Sequence, residues 1–195
     1  MPKRTLALCA ALAAAPVALA QNPAPRETVS VAVGGKRVSI EYGRPSLKGR
    51  TFDDLLKLLP ADRMWRAGVD QVTTLTTEGP LTIAGKRVPA GKYSLYVHAP
   101  ETGEYSLAVN ADLGVALGKI WAQAPAHLAS EPWPHMDDYT RSIGGQEAAR
   151  APMAKVAPGA PVEMFTVTLT SKGAGAVLKM AWGDRAWTMD IAPAK

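Results

Sequence analysis

Pro89-Ala90-Gly91-Lys92-Tyr93-Ser94-Leu95-Tyr96-Val97-His98 sets the architecture of this chain. Tyr93, Leu95 and Val97 alternate with Lys92, Ser94, Tyr96 and His98, the period of two expected of a strand with one buried face. Thr102-Gly103 then turns the chain, and Tyr105, Leu107 and Val109 repeat the alternation, which predicts a hairpin. Upstream, Val29, Val31 and Val33 alternate, Gly34-Gly35 is a two-residue turn signal, and Val38, Ile40 and Tyr42 alternate on the return. Val72 to Thr77 and Leu81 to Ile83 read as further strands. The words Gly-Lys-Arg-Val at 35–38 and 85–88 mark two similar turns, because their flanks do not repeat. Downstream, Phe165, Val167 and Leu169, then Leu178, Met180 and Trp182, then Trp187, Met189 and Ile191 restore the pattern.

One segment breaks this period. Phe52, Leu55, Leu56 and Leu59 fall on one helical face, Thr51 can cap, Asp53 and Asp54 suit the positive end of the dipole, and Pro60 stops the helix. From Ala111 to Pro161 no period is sustained. One or two short strands are expected there, near Leu117–Trp121 and Ala151–Val156, around an irregular insertion at 118–146. About nine strands and one short helix predict an all-β fold, an antiparallel β-sandwich or barrel-like sandwich, as a single domain over 28–192.

The N-terminus reads as a targeting segment. Lys3 and Arg4 precede the apolar run Leu6 to Ala15, and Ala18-Leu19-Ala20 places small residues for cleavage before Gln21. Residues 1–20 are thus expected to be a signal peptide and 21–27 a flexible leader. The expected location is exported, periplasmic or extracellular, with no transmembrane segment. Cys9 follows Leu8 inside the apolar run, which argues against a lipid anchor. Cleavage would leave no cysteine, hence neither disulfides nor a thiol nucleophile. It would also remove two of the charges behind the formal net charge of +5. No long basic run remains, so nucleic acid is not an expected partner.

Two loop-like segments gather polar side chains. Arg44, Ser46, Lys48 and Arg50 lie in one, and Trp65, Arg66 and Asp70 in the other. Guanidinium forks match carboxylate or phosphate oxyanions with paired hydrogen bonds, and Gly43 and Gly49 permit close backbone approach. The competing account is that Arg44 and Arg66 tie the loops down through backbone carbonyls or through Asp53, Asp54 and Asp70. Tryptophans at 65, 121, 133, 182 and 187, with Tyr96 and Tyr139, can build a sugar platform, although Trp182 and Trp187 sit on alternating strands and fit a core. His135, Asp137 and Asp138, with His127, lack metal-binding spacing, so neither a metal nor a cofactor is expected. Ser46 has no Gly-x-Ser-x-Gly setting.

Tyr42-Gly43-Arg44-Pro45-Ser46-Leu47-Lys48-Gly49-Arg50, Trp65-Arg66-Ala67-Gly68, Thr73-Thr74 and Pro89 to Leu95 together resemble the DUF2911 family of exported bacterial proteins. Val162-Glu163-Met164-Phe165 and Ala181-Trp182-Gly183 fit it too, and the likeness covers about 28–192. It implies an extracytoplasmic β-rich domain, with no established activity and no catalytic residues to carry over. Asp70-Gln71 departs from the family's usual Asn-Glu, and 118–146 is longer than its usual link.

The expected function is a non-catalytic binding module for a small anionic or polar ligand. Arg44, Lys48, Arg50 and Arg66 would supply charge, Trp65 an apolar wall, Asp70 and Lys92 orientation, and Ser46 a further polar contact. The alternatives are a hydrolase acting on an extracytoplasmic ester or polysaccharide, and an envelope protein–protein interaction domain with a protein partner.

Overall fold

A computed structural model describes residues 24–135 and 138–195. The Gly34-Gly35 turn joins β1 (Arg26–Val33) to β2 (Lys36–Gly43), with Val31 opposite Val38 and Val29 opposite Ile40. β1 begins at Arg26, so the last two residues of the expected leader are strand, paired with Tyr42 and Gly43. The expected signal peptide and residues 21–23 lie outside the described residues.

The first sheet continues through β4 (Thr74–Thr77), β7 (Gly91–His98), β8 (Ser106–Asn110) and β11 (Glu147–Pro152), in the order β1-β2-β4-β7-β8-β11. β3 (Met64–Trp65) pairs with the end of β7, Met64 opposite His98 and Trp65 opposite Val97. The second sheet runs β13 (Val162–Lys172), β14 (Gly175–Gly183), β15 (Arg185–Pro193), β5 (Leu81–Ile83), β6 (Lys86–Val88), with β12 (Ala154–Val156) also on β15. Every strand pairing is antiparallel. The two sheets face each other, and Ile40, Leu95, Leu107, Phe165, Val167 and Leu178 share one buried core between them.

Both sides of the sandwich are drawn together. On one side Gly34 N donates to Ala174 O at 2.8 Å, and the buried Tyr42 hydroxyl accepts from Val167 N at 2.9 Å. On the other, β11 lies against β5 and β6. The expected strand over Ala151–Val156 is in fact divided between the sheets: Pro152 pairs with Ser106 of β8, and Ala154 pairs with Thr188 of β15. Met153, buried at the crossing, donates its N–H to Tyr105 O.

The helix is shorter than its apolar period suggests. α1 spans Phe52–Leu56, closed at its start by a capping box between Thr51 and Asp54. The chain then tightens, Leu58 N and Leu59 N reaching carbonyls three residues back, and Arg63 Nη1 donates to Leu56 O at 2.9 Å.

The insertion has more structure than expected. β9 (Val115–Ala116) pairs with β10 (Pro132–Trp133), the expected strand at 117–121 is instead α2 (Leu117–Ile120), and α3 (Tyr139–Ser142) follows. A short 3-10 turn (Gly144–Gln146) leads into β11. This segment covers the outer face of β7 and β8, so Ser94 and Tyr96, expected on a polar face, are buried. Ser94 Oγ donates to Asp112 O, His135 N donates to the Tyr96 hydroxyl, and the Tyr96 and Tyr139 rings lie 4.6 Å apart. Asn110, fully buried, donates to the Tyr139 hydroxyl and to Ile143 O, and Tyr139 donates to Glu147. A satisfied polar network of this kind fixes the insertion in one arrangement. Among the described residues no helix is long and apolar enough to cross a membrane.

Candidate ligand-binding site

Two cations of the 44–50 loop, Arg44 and Arg50, are turned toward the protein, and Lys48 is exposed. Arg44 donates from Nε to Phe165 O at 3.2 Å and from Nη2 to Thr166 Oγ1 at 3.0 Å, and its Nη1 pairs with Glu27 at 3.0 Å. Ser46 Oγ donates to Glu163 Oε1 at 2.5 Å, and Lys48 N donates to the same oxygen at 2.9 Å. The Ser46 hydroxyl and then the Lys48 amide hold the Glu163 carboxyl below its usual range. Arg50 donates to the carbonyls of Leu47 and Ser46. Leu47 N reaches Glu163 O, Phe165 N reaches Pro45 O, and Ser46 bridges Met164. The loop therefore works as a clasp along the edge of β13, and for Arg44 and Arg50 tying the chain down is what the bonds do.

The second segment contributes differently. Trp65 stacks on Trp182 with ring centroids 5.4 Å apart and meets Phe165 edge-on at 4.9 Å. Arg66 is partly buried; burial pulls its guanidinium below the ordinary arginine value, while the Asp70 carboxylate and Tyr96 oppose that shift. Asp70, in the left-handed region at φ 61°, accepts from Ala24 N. Lys92 is exposed on β7 opposite Thr76.

Between the sheets, beneath α1, lies a cavity of about 490 Å³. Its walls are mostly apolar and aromatic: Phe52 and Leu55 from the helix, Trp65 and Met64 from β3, Met180 and Trp182 from β14, Trp187 from β15, and Tyr105. Arg50, Arg66 and His135 add polar groups. His135 Nε2 stands 3.3 Å from Asp112 Oδ1, so its partner is that carboxylate. Asp137 of the histidine–aspartate group lies outside the described residues, and Asp138 caps α3 by accepting from Arg141 N. Thus the fold brings Arg50, Trp65 and Arg66 to one cavity, and leaves Arg44, Ser46, Lys48, Asp70 and Lys92 off its wall. A volume of this size with few polar groups suits a small molecule.

Reasoning from sequence alone leaves out much of this wall. Trp182 and Trp187 read as core and are core, at 5% and 6% exposure, yet they also bound the cavity. Alternation distinguishes inside from outside, and a wall residue counts as inside. Tyr105 and Met153 carry no signal beyond their hydrophobicity.

Residues 24–191 match the family described as a protein of unknown function, DUF2911. The chain belongs to the DUF2911 family. No curated protein and no solved structure matches it. In this DUF2911 chain the words Tyr42-Gly43-Arg44-Pro45 and Trp65-Arg66-Ala67-Gly68 meet at their glycines. A Cβ on Gly68 would stand 2.6 Å from Thr73 Oγ1 and 3.1 Å from Gly43 O. The motifs thus hold the two loops against each other and set Trp65 and Arg66 on the cavity. Replacing Arg44 by Ala is expected to lower stability by about 1.5–3 kcal/mol, since charge-assisted bonds to Phe165 O and Thr166 are lost. Chemical denaturation measures this; an unchanged midpoint would remove the clasp role.

Proposed function

We propose that this domain is a non-catalytic binding module for a small ligand with an apolar body and an anionic or polar group. The observation that carries the reading is the cavity itself, about 490 Å³ of largely aromatic wall with the partly desolvated Arg66 on its lining. An apolar body fits against Trp65, Trp182 and Met180, and the Arg66 guanidinium on the same lining can hold an anionic or polar group. Arg50 lines the same cavity, while Arg44, Ser46 and Lys48 serve by holding the loop that carries it. Hydrolysis has less support, because Ser46 Oγ is engaged with Glu163 rather than with a histidine. Export to the periplasm or beyond belongs to the same proposal and rests on the pattern of residues 1–20.

Titration with dodecanoate, followed by calorimetry and thermal shift, tests the reading. Saturable binding is expected, with about 2.7 kcal/mol of stabilisation at a hundredfold excess over Kd. Arg66→Ala is expected to weaken it at least tenfold and Lys92→Ala to leave it unchanged. Absence of saturable binding, or equal affinity in Arg66→Ala, would refute the proposal.

A second reading, an envelope interaction domain, draws on Ile120 and Trp121, which are 52% and 48% exposed on the insertion. Ile120→Ser with Trp121→Ser is the proper test for it, because deleting 118–146 would uncover Tyr96.

A further inference from the structure

A second groove, of about 760 Å³, lies on the other side of one wall of this cavity. Leu56, Tyr105, Met153 and Trp187 line both spaces, so these four side chains are a shared partition. The two sides differ in their charged residues. The inner cavity is mainly apolar, whereas the groove gathers Lys57, Arg63, Lys155 and Arg185 from four separate segments. Asp53, Glu101 and Glu104 also line it, leaving a formal excess of one positive charge.

We propose that the groove and the inner cavity are two compartments of one site, which takes a ligand with an apolar span and an anionic group at each end. The inference rests on the inner cavity binding an apolar body, as above, and adds the second polar end. Three features support it. First, segment 63–66 runs from one compartment to the other: Arg63 lines the groove, Met64 lines the cavity, and Trp65 and Arg66 follow on the cavity wall. Three residue steps separate the Cα atoms of Arg63 and Arg66 by at most about 11 Å, so the two cations are anchored within the length of a medium-chain molecule. Second, the partition is built partly from Leu56 and Met153, neither of them β-branched, beside the Tyr105–Trp187 stack at 4.9 Å. Third, the groove's cations have capacity for an incoming carboxylate. Arg63 spends Nε on Ala99 O and Nη1 on Leu56 O, which leaves the N–H groups of Nη2 outside those two bonds. Lys155 is exposed on β12, and Arg185, paired through Nε with Asp184 and through Nη2 with Asp53, keeps Nη1 outside those two pairs.

The test compares dodecanedioate with dodecanoate on the whole protein. The diacid is expected to bind at least tenfold more tightly, and Lys155→Glu to abolish that advantage while dodecanoate affinity stays the same. Lys155 is exposed, so this variant folds; Arg185→Lys, which keeps the charge but not the fork, is expected to lose part of the advantage. Equal affinity for the two acids, or an advantage unchanged in Lys155→Glu, would overturn the two-compartment site while leaving the inner cavity as a monoanion site. Binding of neither acid would overturn both readings.

Discussion

Gly43→Ala is expected to destabilise the domain by about 3 kcal/mol or more, the upper range for forcing atoms into packed structure. The reason is a backbone contact. An added Cβ would stand 2.2 Å from Val69 O and 3.0 Å from Val69 Cγ1, and a carbonyl in the adjoining loop cannot rotate away as a side chain can. Relief requires the 43–50 and 63–70 segments to separate, which would also displace Trp65 and Arg66. Gly49→Ala is the control. A Cβ there meets nothing within 4 Å, and only its φ of +78° resists, so about 1 kcal/mol is expected. Urea denaturation of both variants decides the matter. If Gly43→Ala costs no more than Gly49→Ala, the close crossing of the two loops is not what that glycine serves.

The second large effect appears in alkali. Burial pushes the Tyr96 hydroxyl up to about 12 from an ordinary value of 10.0, with the nearby Asp112 carboxylate adding to the shift and the His135 amide and Arg66 opposing it. Below pH 10 both folded and unfolded chains hold this proton, and the stabilisation is fully present. Between pH 10 and about 12 the unfolded chain releases the proton while the folded one keeps it, so stability falls as pH rises. That difference corresponds to about 3 kcal/mol. Tyr42, Tyr93, Tyr105 and Tyr139 are also raised by burial and act in the same direction. Denaturation at a series of pH values, in parallel with Tyr96→Phe, isolates the Tyr96 part. The variant should lose stability less steeply above pH 10. Parallel curves would mean that Tyr96 ionises without penalty and that the insertion does not seal it from water.

That insertion marks where local sequence ceases to be informative. Alternation predicts one buried face of β7, and Tyr93, Leu95 and Val97 do face the core. It cannot predict that Ser94 and Tyr96 are buried as well, because their cover comes from residues 112–143, well beyond any local window. The same limit appears at Leu117–Trp121. Its short apolar run fits strand or helix equally well, and α2 forms where Leu117 N and Gly118 N bond the carbonyls of Glu131 and Ala129. At Pro152-Met153 the chain changes sheets, and a period of two carries no record of which sheet each half joins.

The candidate site was legible in a similar measure. Arg50, Trp65 and Arg66 are identifiable from loop chemistry and do line one cavity. Arg44 carries the same guanidinium two residues past the Tyr42 strand position, yet its bonds to Phe165 and Thr166 depend on β13, more than a hundred residues away. Lys57, Arg63, Lys155 and Arg185 give no hint of common purpose in sequence, because they meet only where the end of α1, the loop into β3, β12 and the start of β15 come together.

What the sequence by itself determined is the strand period, the tight glycine turns, the capped helix and the membership of a family, since each depends on residues within a few positions of one another or on ordered words. What only the tertiary structure decided is which cations clasp and which line a cavity, and which tryptophans form a wall. A guanidinium bonds whatever acceptor lies nearest in space, and the position of that acceptor is fixed by the pairing of strands distant in the chain.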